Sequence, residues 1–205
     1  AGELLRTNLG ILSEERMSTL YKLVMQQKDN KDSLIRRTVI NLLPMLARFD
    51  PAEFCERYLQ DSLTHLTVIL RKASERSSPY LALGAVTAVA GRQARPWLED
   101  MLELVDDGIT PRNRKPYCYE AMTCLASITS VMSDDALLLA RLPGLLEQMF
   151  GGTEGKLDPR MVSALSQIAA SVPHMLPDIQ LRLLDSVSFI LQRTPYQPSG
   201  TPKNR

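Results

Sequence analysis

The chain has 205 residues, 44% hydrophobic and only 5% aromatic, and its 24 Lys plus Arg against 23 Asp plus Glu leave a formal charge of +1. Near neutrality removes the electrostatic field that gathers nucleic acid or anionic membrane, so neither a nucleic-acid binder nor a basic membrane-surface protein is expected. No apolar run is long enough to span a bilayer and no signal-peptide pattern opens the text, which predicts no direct membrane insertion.

In chain order, Glu14–Gln27 reads as an amphipathic helix followed by the polar turn Lys28–Asp32. Ser33–Phe49 (SLIRRTVINLLPMLARF) is apolar almost all round, with Pro44 inside it expected to kink the helix. Asp50-Pro51 is a helix start, because the Asp side chain can accept from free backbone N–H groups and proline needs no donor in the first turn. A long amphipathic helix, Pro51–Lys72, is predicted from it. Glu53 suits the positive end of the helix dipole, Arg71 and Lys72 suit the negative end, and Cys55, Tyr58, Leu59, Leu63, Leu66, Ile69 and Leu70 form one apolar stripe.

A second kind of helix follows from Ser78 to Gly91. Its Leu, Ala and Val residues leave only a thin polar edge at Thr87, so it must be covered on several sides. Gly84 in its middle costs about 1 kcal/mol in helix propensity, which points to close approach of a neighbouring helix. Further on come Ala94–Val105, the loop Asp106–Pro116, Tyr117–Met132, Asp134–Phe150, the turn Gly151–Asp158, Pro159–Val172 and Leu176–Arg193. Residues 194–205, with three prolines and no apolar period, are expected to be a linker or disordered tail.

The dense apolar helices align with one another. Thr38, Ala82, Ala121 and Ala164 fall at one position, with Leu42, Val86, Leu125 and Ile168 four residues on and Met45, Val89, Ile128 and Ser171 seven on. The separations are 44, 39 and 43 residues, close to the roughly 40–47 of HEAT or armadillo units. The predicted fold is therefore all-α: an α-solenoid of about four and a half HEAT-type helical pairs over residues 1–193. A first residue that is not Met, and a last amphipathic helix without its partner, suggest a segment of a longer array.

No catalytic constellation is legible. Gly151–Lys156 (GGTEGK) has its glycines too close together for a phosphate-binding loop and lacks the following hydroxyl residue. His65 and His174 stand far apart with no ligand-spaced companion, and Cys118 and Cys124 point about 120° apart on one helix, so no metal or cofactor is expected in this segment. Cys118 and Cys124 are read as buried small hydrophobes, and the odd total of three cysteines, Cys55 included, as reduced thiols in an intracellular, cytoplasmic setting. Glu99, Asp100, Glu103, Asp106 and Asp107 are read as a solvated helix face. Arg112, Arg114 and Lys115 form the most compact basic cluster, in the longest loop within a pair, and are the candidate protein-binding residues because loops on a rigid stack are where repeat proteins recognise partners.

The strings SLIRRTVINLLPMLARFDP, YLQDSLTHLTVILRK, ERSSPYLALG and LPDIQLRLLDSVSFILQ, preceded by ELLRTN and EERMSTLYKLVMQ, resemble the N-terminal HEAT region of the target of rapamycin family of serine/threonine kinases. The family belongs to the phosphatidylinositol-kinase-related group, and its catalytic domain lies far C-terminal of this region. The resemblance implies architecture and carries no catalytic residue onto this chain. It implies partners: raptor-like and rictor-like regulatory subunits and other parts of the kinase dimer, in nutrient and growth signalling, with association to lysosomal or vacuolar membranes. A nuclear-transport receptor, a phosphatase scaffold subunit or an autonomous all-α enzyme are the alternatives; the first two would more often show acidic inner loops or an Asp/Arg ladder, here partly visible in Asp32 and Arg36.

Overall fold

The structure is a computed structural model that describes residues 14–72, 76–110, 118–151 and 157–192, with side chains from Met17 on. The helices are α1 (Glu14–Gln26), α2 (Ser33–Phe49), α3 (Pro51–Arg57), α4 (Leu59–Lys72), α5 (Ser77–Ala90), α6 (Leu98–Ile109), α7 (Tyr119–Met132), α8 (Ala136–Gly151), α9 (Pro159–Ser171) and α10 (Leu176–Gln192). Short 3-10 segments, Gly91–Trp97 and Pro173–Met175, precede α6 and α10. Among the described residues there is no strand.

The helices form two layers. In the inner layer α2 packs on α5, α5 on α7 and α7 on α9, so each neighbour is one helical pair away in sequence. The outer layer runs α4, α6, α8, α10, with α1 at its start laid against α3 and α4 through Tyr21. Arg76 meets Asp107, Tyr80 meets Leu104 and Thr87 meets Met101, so α5 and α6 run antiparallel. This is the predicted α-solenoid. One contiguous core, from Met17 to Ile179, threads the whole stack.

Local chemistry explains the element boundaries. Asp32 Oδ1 accepts from the Leu34 amide at 2.8 Å, Asp50 Oδ1 from Glu53 at 3.0 Å, Asp135 Oδ1 from Leu137 at 2.9 Å and Asp158 Oδ1 from Arg160 at 2.8 Å. Each satisfies an otherwise orphaned donor of the first helical turn. Gly91 ends α5 with φ +57°, a conformation that favours glycine, while its N–H still bonds the Thr87 carbonyl.

Three expectations are corrected. Pro51–Lys72 is not one helix: it breaks at Tyr58 (φ −124°, ψ −10°), although the Tyr58 amide still bonds the Phe54 carbonyl at 2.9 Å. The break accompanies a ring stack, Tyr58 on Tyr21 at 4.2 Å between centroids, with Phe54 edge-on to Tyr21 at 6.2 Å. The predicted Ala94–Val105 helix starts later, at Leu98, because Pro96 sits in a 3-10 segment whose geometry tolerates it. Thr87, expected as the polar edge of α5, is fully buried with its hydroxyl donated to Met101 Sδ at 3.3 Å, and Leu81, 46% exposed, lies outside instead.

Most of the aligned inner positions are buried. Ala82, Ala121 and Ala164 are buried, as are Leu42, Val86, Leu125 and Ile168, but Thr38 is exposed and bonds its own helix at Leu34. Met45 and Ser171 are half-covered. Partial cover is not confined to the ends of the described stack, since Val89 on the middle helix α5 is half-covered while Ala164 and Ile168 on α9 are buried.

Candidate protein-docking surfaces

Successive units are pinned by polar contacts one repeat apart. Tyr21 Oη lies 2.9 Å from Ser62 Oγ, 41 residues on; Arg37 Nε donates to Ser78 Oγ at 3.1 Å, also 41 on. Arg92 pairs with Asp134, Arg95 with Asp135, and Arg160 Nη1 with Glu120 at 3.1 Å, at separations of 42, 40 and 40 residues. Arg160 also lies 4.4 Å over the Tyr119 ring. Arg71 reaches Asp100 at 2.6 Å and Arg76 reaches Asp107 at 2.5 Å. The acids on α6 are thus only partly the solvated face that was expected: Glu99 and Glu103 face water, while Asp100 and Asp107 tie α6 to the preceding unit.

Two concavities among the described residues bear on docking. The larger of the two, about 550 Å³, is lined by Lys28 and Asp29 in the α1–α2 turn, Ser33, Arg36, Arg37 and Ile40 on α2, His65, Val68, Ile69 and Lys72 on α4, and Ser78 and Pro79 on α5. Arg36 is fixed there by donating to the Asn30 and Lys31 carbonyls at 2.7 and 2.9 Å. His65 is half-buried, its Nε2 is shielded from water with no partner among the described residues, and burial, then the nearby Lys28, pushes its pKa down. The smaller concavity, about 270 Å³, lies at the turns between pairs and is lined by Arg92, Arg95, Met132, Asp134, Asp135 and Ala136. Its charges are matched. Burial works against ionisation of Asp135, yet the Arg95 guanidinium and the Leu137 and Leu138 amides hold its carboxyl below the usual range.

The last helix leaves apolar surface uncovered. Only Ile179 and Ser186 of α10 are buried, while Leu184 is 66% and Leu191 79% exposed, with Leu181 and Val187 beside them.

Chemistry at the other singled-out residues is quiet. Burial pushes the Cys118 thiol up to about 11 and raises the fully buried Cys124 thiol further, so neither supplies a thiolate near neutrality. Cys55 is half-covered and also raised by burial. His174 is exposed. Among the described residues no group of three His, Cys, Asp or Glu side chains is placed to hold a metal ion, and no helix is long and apolar enough to cross a membrane. Arg112, Arg114 and Lys115, Gly152–Lys156 of the glycine-rich turn, and residues 194–205 lie outside the described residues. Sequence reading missed the larger groove because its cations are scattered from Lys28 to Lys72; aligning charges at the ends of successive helices is the signal that would have gathered them.

Comparison with known proteins sets this architecture in context. The chain is 34% identical to serine/threonine-protein kinase TOR of Oryza sativa subsp. japonica over 97% of its own length, and 32% identical to the TOR kinase of Arabidopsis thaliana over 98%. It is a TOR-related segment. Similarity extends to serine/threonine-protein kinase tor1 of Schizosaccharomyces pombe, at 28% over 89% of the chain. The TOR-related chain spans about 8% of the length of these relatives. No protein-family profile matches it, and no solved structure does.

Proposed function

We propose that this chain is a non-catalytic, HEAT-type scaffold segment from the N-terminal region of a TOR serine/threonine kinase. It acts in the cytoplasm, in nutrient and growth signalling, by holding a rigid two-layer stack against raptor-like and rictor-like subunits and other parts of the kinase dimer. The observation that carries this reading is the end-to-end match to TOR kinases by a chain that spans so small a share of them. The stack itself supports it, because a repeat array offers long edges and loops for docking rather than one enclosed pocket. The basic loop Arg112, Arg114 and Lys115 is the proposed contact with an acidic patch on a partner.

The test is made in the full-length kinase. Changing Arg112, Arg114 and Lys115 together to Glu is expected to lower co-purification of raptor-like or rictor-like subunits at unchanged helicity. Deleting the segment is expected to dissociate the assembly while an isolated kinase domain keeps its phosphotransfer. Unchanged subunit recovery from the deletion would remove the scaffold reading; unchanged recovery from the triple variant alone would remove the loop.

A further inference from the structure

We infer that the groove between α2 and α4 is a docking site for an extended acidic peptide segment carrying apolar side chains between its carboxylates. Its lining holds four permanent cations, Lys28, Arg36, Arg37 and Lys72, against one acid, Asp29. A chain whose overall charge is +1 therefore concentrates cationic charge at one concave place. Concave walls of one sign focus the field and raise both the local concentration and the capture rate of an oppositely charged partner.

The groove is prepared as well as charged. Arg36 is held by two backbone carbonyls, which leave its guanidinium charge in place, and Arg37 is positioned in part by donating to the Ser78 hydroxyl. Lys28 and Lys72 have no ion-pair partner among the described residues, in contrast to the arginines of the smaller groove, which are matched by Asp134 and Asp135. Between the cations lie Ile40, Val68, Ile69 and Pro79, an apolar surface that suits alternate side chains of an extended peptide. His65 adds a shielded ring nitrogen without a partner, and an unmatched buried polar atom gains by receiving one. A concave shape and apolar lining favour a peptide over a flat lipid surface, and the inference does not depend on the TOR relationship.

The test uses the whole 205-residue chain and a fluorescein-labelled peptide of alternating Asp and Leu, read by anisotropy. Binding is expected, weakening with added salt and falling about tenfold or more in the double variant Lys28→Glu, Lys72→Glu, two exposed residues outside any ion pair. Val68→Asp should weaken it independently from the apolar side, while Arg141→Glu on exposed α8 surface should leave it intact, each with parental helicity. The inference is overturned if the Asn-Leu counterpart binds equally, if Arg141→Glu matches the groove variants, or if phosphatidylserine–phosphatidylcholine vesicles bind the chain when the acidic peptide does not.

Discussion

Single residues in this stack do two jobs, packing and pinning, and Tyr21 does both. Its ring stacks on Tyr58, its hydroxyl meets Ser62, and burial pushes its pKa up to about 12 against an ordinary 10. Between those values the unfolded chain has lost the tyrosine proton and the folded chain keeps it, so stability is full below pH 10 and falls as pH rises toward 12. Alkaline thermal melts should show this decline, and Tyr21→Phe should make it shallower; an identical slope would show that other groups govern the alkaline limb. Glu53 is the opposite case. It is 8% exposed, neither carboxylate oxygen has a hydrogen-bond partner among the described residues, and Arg57 Nη1 stands 3.7 Å away. The helix dipole contributes about 0.3–1 kcal/mol to such a charge, less than the roughly 1–3 kcal/mol cost of a buried group without hydrogen bonds, and the Arg57 ion pair offsets part of the remainder. The sequence shows why an acid suits that turn but not that the neighbouring helices cover it.

At the scale of helices, backbone approach sets the tolerances. A Cβ on Gly84 would stand 3.0 Å from Cys124 Cα and 3.2 Å from Ser127 Cβ, so α5 and α7 touch where the sequence predicted a neighbour. Gly108 was not anticipated. A Cβ there would lie 2.5 Å from Tyr80 Oη and 2.7 Å from Ala121 Cβ, and the Tyr80 hydroxyl is already committed to the Leu104 carbonyl. Gly108→Ala and Gly84→Leu should each destabilise by roughly 1–3 kcal/mol through overpacking, measured by denaturant titration, despite better helix propensity. Equal or greater stability in both variants would contradict the close inner packing. Gly84 was legible because it interrupts a buried-looking helix, whereas Gly108 sits near a helix end, where glycine is unremarkable in sequence. The Tyr58 break was hidden for a related reason: its flanks keep helical periodicity, and the aromatic partner that accompanies it is 37 residues away.

For the molecule as a whole, nearest-neighbour contact is the organising rule. The repeat interval was readable because buried positions of α2, α5, α7 and α9 recur in sequence; the edge grooves were not, because surface charge has no such period. Among the described residues, the inner helices α5 and α7 have an inner-layer neighbour on both sides, while α2 and α9 have one on one side. Amide exchange should therefore be slowest in α5 and α7 and faster toward α1 and α10, since repeat arrays open from their ends. Uniform protection along the chain would instead mark the stack as a single cooperative unit.

The stacked Tyr21 and Tyr58 rings also bear on how that fraying could be seen. Two phenols held 4.2 Å apart near the start of the stack form an asymmetric chromophore pair, whereas the sole tryptophan, Trp97, lies at the junction before α6. Near-ultraviolet dichroism from the first and emission from the second thus report on different stretches of the same rod, and the molecule carries two native optical labels for following its opening without any dye attached.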